Sequence, residues 1–311
     1  MKSQPLAHTF SIVARDPQSG EMGVAVQSHW FSVGSVVPWA QAGIGAIATQ
    51  SMAEISYGPL GLELLKGGKS AQQTLDALLL ADENREVRQV AIVDARGEVA
   101  AHTGKRCIAE AGHIIGAGFS VQANMMLNDR IPTAMAKAYE AAIQNGIADL
   151  SERLLLALEA AQSAGGDIRG KQSAAIKVVG KDLSSKTWEG VQMELRVEDC
   201  PEPIPELRRV VNIHRAYTHM NQGDERLAAG DAAGALQAYE AAAKLAPQIV
   251  ELPFWNAVSL ADTGRLSEAL PIFKDVFTRE PIWAELLIRL VPAGLIKDDP
   301  EMIAAILKMK S

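Results

Sequence analysis

The first two thirds of the chain alternates short apolar runs with turn residues. The runs "FSIVA", "MGVAVQS" and "GIGAIATQ" are rich in Val, Ile and Ala, and Gly, Pro and Asp separate them. Apolar side chains occupy both faces of these runs, which is typical of strands that are covered on each side. The stretch "RQVAIVDARGEVAAHTG" divides at residues 94–97 and predicts a further hairpin.

Helical periodicity follows these strands and returns after a second group of strands. The predicted helices cover residues 59–66, 70–80, 131–144 and 150–163, and further strands are predicted at 173–179 and 191–197. This order favours stacked sheets between helical layers over an alternating parallel fold. We therefore predict an α+β domain over residues 1–200.

After this domain the sequence pattern changes from mixed strands and helices to helices alone. Three prolines in "EDCPEPIPELRR" predict a linker, placed at residues 201–215. Residues 216–311 read as purely helical, and four positions recur there at a spacing of 34 residues, namely Gly230 with Gly264, Ala235 with Ala269, Tyr239 with Phe273 and Pro247 with Pro281. The pattern resembles tetratricopeptide repeats. Such repeats commonly bind peptides, so a peptide or protein partner is expected.

Composition excludes several classes of protein. With 48% apolar and 22% charged residues the 311-residue chain is globular, and its net charge of −7 argues against a nucleic-acid partner. Since no apolar stretch reaches the ~18 residues of a membrane span, and "MKSQPLAH" is no secretory signal, we expect no membrane partner and a cytoplasmic protein. Cys107 and Cys200 are far apart and lack metal-ligand spacing, so neither a zinc site nor a disulfide framework is expected. We also expect no metal and no cofactor.

Polar residues gather where the predicted strands begin and end, and the sequence lacks the common nucleotide-binding, zinc-protease and nucleophile-elbow motifs. Thr9 and Ser11 open the first strand, either as catalytic hydroxyls or as ordinary strand residues. Ser28 and His29 end the second strand, where His29 is a candidate general base. Gln50 ends the strand "GIGAIAT", where its amide can stabilise an oxyanion.

Two later stretches supply candidate binding residues. Gln122 and Asn124 share one face if their segment is extended, because side chains alternate along a strand. Two adjacent amides suit a carboxamide, ureide or carboxylate ligand, and a hydrogen-bonded pair at a sheet edge is the alternative. In "GGDIRGKQSAA", Arg169 can bind a carboxylate while Asp167 orients it, and Gln172 follows. A structural ion pair in the loop is the alternative there.

Five stretches of the sequence resemble the family catalogued as domain of unknown function 1028. They are "TFSIVARDPQSGEMGVAVQSHWFSVGSVVPWAQAGIGAIATQ", "SYGPLGLELL", "HTG", "GFSVQAN" and "GDIRGKQSAA", which follow one another in the right order between Thr9 and His214. The resemblance implies the N-terminal-nucleophile (Ntn) hydrolase-like fold, a four-layer αββα sandwich. In Ntn hydrolases the residue that opens the first strand attacks an amide carbonyl, and its own α-amine serves as the base.

The resemblance places Thr9 in the role of nucleophile. An α-amine has a pKa of about 8, so it is partly unprotonated at neutral pH and needs no histidine. Here eight residues precede Thr9, whereas relatives often begin with this threonine after an initiator methionine. Either the prefix is removed, or Ser11 or Ser28 acts with another base such as His29, or the reaction involves no acylation.

Three functions remain open at this point. The main prediction is hydrolysis of a C–N bond in a small amide or ureide. The second is a different reaction in the same fold, such as isomerisation of a small cyclic or carbamoyl compound. The third is a non-catalytic scaffold that holds a partner through the helical repeats. Enzymes of this fold often form homo-oligomers, so a homo-oligomer with a small-molecule substrate is expected for the first two.

Overall fold

The structure is a computed structural model that describes residues 6–184, 186 and 188–310. Residues 1–5 of the predicted prefix therefore lie outside the described part of the chain. The chain divides into two compact units, residues 1–208 and 209–311. The first unit is mixed α/β with two antiparallel sheets, and the second is helical, as the sequence predicts.

One antiparallel sheet of the first unit has five strands. They are β1 (Leu6–Ala7), β4 (Pro38–Gln41), β5 (Gly45–Met52), β6 (Arg88–Asp94) and β7 (Val99–Thr103). Their order is β1-β5-β6-β7, and β4 also pairs with β5. In the register of β5 and β6, Gln50 lies opposite Gln89.

The other antiparallel sheet has six strands. They are β2 (Thr9–Arg15), β3 (Met22–Ser28), β8 (Gly112–Gly116), β9 (Phe119–Ala123), β10 (Ser173–Val179) and β11 (Val191–Val197). Their order is β11-β10-β3-β2-β9-β8. The register places Thr9 opposite Ser28 and Ser11 opposite Gln122, so the ends of three strands that carry candidate residues are neighbours.

Each sheet carries two helices on one face. Helices α1 (Tyr57–Lys66) and α2 (Ala71–Ala81) pack on the five-stranded sheet, and α3 (Ile131–Gln144) and α4 (Leu150–Ser163) pack on the six-stranded one. The other faces of the two sheets meet in a cluster of small apolar side chains, which includes Val13, Val24, Val26, Ala46, Ala48, Ala91 and Val93. Every second residue of a strand contributes to this cluster because side chains alternate.

The second unit consists of helices in sequence. They are α5 (Pro203–Ala228), which begins before the boundary of the unit, α6 (Ala232–Leu245), α7 (Glu251–Asp262), α8 (Leu266–Arg279), α9 (Trp283–Leu290) and α10 (Pro300–Leu307). Helices α6 and α8 both have 14 residues and begin at positions related by the sequence repeat. The repeated residues Ala235, Tyr239, Ala269 and Phe273 are buried. Short 3₁₀ helices cover Val33–Ser35, Arg85–Val87 and Lys308–Lys310.

The predicted linker at residues 201–215 is mostly helix, because α5 begins at Pro203. Pro203 and Pro205 lie in the first turn, where backbone N–H groups have no partner within the helix and proline removes no hydrogen bond. Arg208 then donates to Glu152 (2.8 Å) and Glu159 (2.5 Å) of α4. Within the described residues, no helix is both long enough and apolar enough to cross a membrane.

Candidate functional site

The inner faces of the sheets change from apolar to polar towards one end. In β2 the inner face passes from Val13 to Ser11, and in β5 and β6 it passes from alanine to Gln50 and Gln89. The polar side chains at this end have no exposed surface, and they are Thr9, Ser11, Gln50, Gln89, Gln122 and Asn124. Buried amides are stable only when they are hydrogen-bonded. We call Ser11, Gln50, Gln89, Gln122 and Asn124 the amide network.

Gln89 fixes the orientation of the network. Its Nε2 donates to the carbonyl oxygens of Ala123 (2.9 Å) and Gly112 (3.2 Å) and to Thr103 Oγ1 (2.8 Å). Because backbone carbonyls only accept, the nitrogen of this amide must point at them. Its Oε1 points the other way and accepts from Gln50 Nε2 (2.7 Å) and Asn124 Nδ2 (2.8 Å).

The hydrogen-bond directions of the remaining members follow from the orientation of Gln89. Gln50 Oε1 accepts from Ser11 Oγ (2.6 Å), which in turn accepts from Gln122 Nε2 (2.6 Å). Gln122 Oε1 accepts from Ser120 Oγ (3.0 Å). Gln50 Nε2 also reaches the carbonyl oxygen of Thr9 (3.2 Å). The network therefore joins Gln50, Gln122 and Asn124 to Ser11 near the start of β2. Every amide in it has one defined orientation.

Asn124 presents its oxygen to a buried histidine. Asn124 Oδ1 lies 2.8 Å from Nδ1 of His8, whose side chain is 2% exposed. Since an amide oxygen cannot donate, His8 Nδ1 carries a hydrogen. Burial lowers the pKa of His8, and the positive charge of Arg169 lowers it further, against the effect of the Asn124 hydrogen bond. His8 is therefore held as a neutral ring with its N–H directed at Asn124.

The carbonyl group of His8 lies between two donors. Ser28 Oγ donates to it at 2.6 Å and Arg169 Nη2 at 2.7 Å. Asp167 holds the guanidinium of Arg169 through two hydrogen bonds, Nε to Oδ1 (3.0 Å) and Nη2 to Oδ2 (2.7 Å). The carbonyl that immediately precedes Thr9 is thus polarised by a hydroxyl and by an oriented cation.

Thr9 itself is buried at the first position of β2. Its Oγ1 donates to the carbonyl oxygen of Ala7 at 2.7 Å, and its nitrogen belongs to the peptide bond with His8. The residues before it form β1, which pairs with Ser51 and Met52 of β5. In the intact chain Thr9 therefore has a hydroxyl but no free amine.

Among the described residues, two of the four non-glycine residues with positive φ lie beside the amides. Ser51 (φ 72°) and Met125 (φ 59°) adopt left-handed conformations and directly follow Gln50 and Asn124. Such conformations cost non-glycine residues about 1–3 kcal/mol each and cluster at functional sites. The strain at these two positions makes the two amides candidates for a functional site.

A surface cavity of about 600 Å³ lies at the Gln89 end of the network and is lined by Thr103, Cys107 and His113 among others. Thr103 Oγ1 connects the network to His113 Nδ1 at 2.9 Å. Cys107 Sγ donates to the carbonyl oxygen of Arg88, and burial raises the pKa of this thiol. Cys107 is therefore a protonated thiol and a poor nucleophile.

Two predicted site residues do not join this group. The His29 side chain is exposed, and the residue contributes its backbone N–H to Asp167 Oδ2 (3.2 Å) rather than its ring. Gln172 Nε2 donates to Asp199 at the surface (3.1 Å). The structure brings together the other predicted residues, which are Thr9, Ser11, Ser28, Gln50, Gln122, Asn124, Asp167 and Arg169.

Sequence reasoning missed His8 and Gln89. Gln89 interrupts the apolar run "RQVAIVD" in the same way that Gln50 interrupts its own strand, so a signal was present. His8 gives no such signal, because it precedes the predicted strand and its contacts come from residues that are distant in sequence. Among the described residues, no three His, Cys, Asp or Glu side chains are arranged to hold a metal ion.

Comparison with known proteins agrees with the resemblance in the sequence. The family model described as "Family of unknown function (DUF1028)" matches residues 9–207. A crystal structure of protein SPO2555 from Silicibacter pomeroyi, which is described with the same family model, is 29% identical to this chain with a TM-score of 0.57. The match covers 66% of this chain and 85% of that one. No curated protein matches the chain.

Proposed function

This chain belongs to the DUF1028 family, and we propose that it is an Ntn-type hydrolase of C–N bonds in small amides or ureides, with Thr9 as its nucleophile. The observation that carries the proposal is the His8 carbonyl, which accepts from Ser28 Oγ and Arg169 Nη2 directly before a buried threonine hydroxyl. Hydrogen-bond donors aimed at a carbonyl oxygen stabilise the oxyanion that forms when the carbonyl is attacked. Two sheets with helices on their outer faces are consistent with the αββα arrangement of Ntn hydrolases.

The same geometry suits removal of the prefix by the protein itself. Thr9 Oγ1 attacks the carbonyl carbon of His8, and the oxygen becomes an oxyanion between Ser28 and Arg169. The His8–Thr9 C–N bond breaks, the hydroxyl proton passes to the leaving nitrogen, and an ester joins His8 to Thr9 Oγ1. Water then hydrolyses the ester, which releases a His8 carboxylate and leaves Thr9 with a free α-amine.

The mature site follows from this step. The α-amine of Thr9, with a pKa near 8, takes the proton from the hydroxyl of the same residue. The donors of Ser28 and Arg169 are no longer occupied by His8, so they receive the carbonyl oxygen of a substrate. Gln50 Nε2, which lies 3.2 Å from the Thr9 carbonyl oxygen, fixes the nucleophile's backbone. One set of residues thus serves both maturation and turnover.

The helical unit supports an additional, binding function. The 34-residue offset of α6 and α8 favours a tetratricopeptide-like unit. A cavity of about 1000 Å³ there is lined by Trp255 and Leu295 together with three acidic residues and one basic residue, which are Asp224, Asp262, Asp298 and Lys297. An apolar groove with acidic groups suits a peptide that carries both apolar and basic side chains. A pull-down with the full-length chain that enriches no such peptide would count against it.

Intact-mass measurement of the purified full-length protein tests the hydrolase. We expect wild type to lose the residues up to His8, while Thr9→Ala stays intact and Thr9→Ser still matures. Arg169→Met should slow maturation roughly 100-fold, as loss of an oxyanion donor does. Thr133→Ala, an exposed threonine of α3, is the matched control and should mature normally.

A screen of small amides and ureides completes the test. The matured wild type should hydrolyse a member of the panel, and Thr9→Ala should hydrolyse none. A wild-type chain that keeps its prefix and turns over no compound would overturn the hydrolase. Conversion without a change in mass of the substrate, in a protein that keeps its prefix, would indicate the isomerase.

A further inference from the structure

The histidine that precedes Thr9 is bound as a ligand would be bound. A residue that only connects a prefix to a domain has no need of specific contacts, yet His8 is 2% exposed and is held at two separate points. Its ring nitrogen meets Asn124 Oδ1, and its carbonyl oxygen meets Ser28 Oγ and Arg169 Nη2. Both ends of the residue are recognised by polar groups in a buried environment.

The recognition of the ring has a defined direction. Backbone carbonyls of Ala123 and Gly112 orient Gln89, whose Oε1 holds Asn124 Nδ2, so Asn124 must present its oxygen to the ring. A ring without an N–H at this position would leave that buried oxygen unpaired, which carries a substantial penalty. The site therefore distinguishes N–H donors from rings of the same shape that lack one.

Resting on the proposed function, we infer that His8 occupies the acyl subsite of the mature enzyme, and that this subsite selects acyl groups with a small planar ring bearing an N–H donor. The scissile carbonyl of such a substrate lies between Ser28 and Arg169, and its ring N–H donates to Asn124. A histidyl amide is the nearest chemical model, because it reproduces both contacts of His8. The neutral state of His8, favoured by its lowered pKa, agrees with a ring that is recognised by hydrogen bonding rather than by charge.

Cavity rescue in the full chain tests the subsite without requiring catalysis. The double variant His8→Gly, Thr9→Ala keeps its prefix but lacks the ring. We would titrate it at about pH 9, where all four rings are neutral, with imidazole, pyrazole, 1-methylimidazole and thiazole by thermal shift and NMR. Imidazole and pyrazole should bind roughly tenfold more tightly than the two rings without N–H, in line with the cost of an unpaired buried acceptor. Equal binding of all four rings, or binding of none, would overturn the inference.

Asn124→Leu in the same background tests whether Asn124 is the acceptor of the ring N–H. It should abolish the difference in affinity between imidazole and thiazole, because no buried acceptor remains to be paired or left unpaired. A preference for N–H rings that survives this substitution would show that Asn124 is not the acceptor and would also overturn the inference.

Turnover by the matured wild type separates the inference from the proposed function. Histidine amide should be hydrolysed with a kcat/KM at least tenfold above that of phenylalanine amide. Hydrolysis of both at the same rate would reject the subsite and keep the hydrolase. N–H-selective ring binding in a protein that hydrolyses no amide would keep the binding site and reject the hydrolase.

Discussion

The space between the two sheets has two ends that the same strands build in opposite ways. At one end β2, β5 and β6 contribute Val13, Ala48 and Ala91, and two residues further along each strand they contribute Ser11, Gln50 and Gln89. Valine and alanine side chains pack without regard to direction. The amides have donors and acceptors, so each fits in only one orientation. The apolar end therefore holds the sheets together, whereas the polar end specifies directions.

This difference also explains why the polar end can be dry. Both polar atoms of the Gln50, Gln89, Gln122 and Asn124 side chains have partners, although none of these side chains is exposed. A fully satisfied network orders its members, whereas a partly satisfied one is less stable than an apolar core. Removing a hydrogen-bonded amide at the polar end should accordingly cost more than removing apolar groups at the apolar end.

The largest expected effect is that of Gln89→Met. Methionine has a similar shape but removes the side-chain donor to the carbonyls of Ala123 and Gly112 and the acceptor shared by Gln50 and Asn124. At about 1–3 kcal/mol for each buried group that loses its partner, we expect the free energy of unfolding to fall by about 4 kcal/mol. Urea unfolding at equilibrium measures this loss in the Thr9→Ala background, where the chain stays intact.

Val93→Ala on the same strand is the matched control at the apolar end. Loss of two buried methyl groups should cost about 2 kcal/mol. A loss for Gln89→Met that does not exceed the loss for Val93→Ala would show that the network contributes no more than packing.

The extent to which the sequence predicts this region depends on how local each feature is. Alternation along β9 correctly places Gln122 and Asn124 on one face. The same rule could have excluded one of Ser28 and His29, because neighbouring residues of a strand point to opposite sides, and His29 is indeed exposed. The pairing of Gln89 with Asn124 depends on two sheets meeting face to face, which no local pattern encodes.

The linker shows a different limit. Prolines at residues 203 and 205 are typical of a linker, yet both are compatible with the first turn of a helix. The choice between the two depends on whether Leu207 finds a buried position, and it does. Local sequence therefore predicts the kind of element and the face of each side chain, while burial against distant residues decides the rest.

Two opposite substitutions along β2, one at each end of the space between the sheets, should have a smaller effect on the free energy of unfolding. Val13→Thr introduces a hydroxyl of the same shape into the apolar end, and Ser11→Ala removes one that bridges Gln50 and Gln122. We expect each variant to lose about 2 kcal/mol of unfolding free energy, the first for a buried unpaired hydroxyl and the second for the two amide groups left without a partner. Thermal and urea unfolding of both variants measures the losses. A stability for Ser11→Ala at or above that of the parent would mean that the amides can pair without the serine.

The smallest expected effect concerns pH and the histidine at the far edge of the network. His113 Nδ1 lies 2.9 Å from Thr103 Oγ1, and burial, with a further contribution from His102, lowers the pKa of His113. In the unfolded chain its imidazole takes up a proton near pH 6.5. Below that pH the unfolded state therefore binds more protons than the folded state, and the stability present above it is lost as the pH falls towards the folded pKa.

His113→Gln removes this titration and should flatten the dependence of unfolding free energy on pH between 7 and 5. His8 is also buried with a lowered pKa, so both proteins should carry Thr9→Ala to keep that contribution equal. Urea unfolding at a series of pH values then gives two slopes, of which the His113→Gln slope should be the smaller. A glutamine can still donate to or accept from Thr103. If that hydrogen bond were nevertheless lost, the free energy of unfolding would fall by the same amount at every pH, and its slope against pH would not change. Equal slopes would mean that the imidazole of His113 is more solvated than its half-buried position implies. The part of the polar end that excludes water would then extend only from Gln89 to His8.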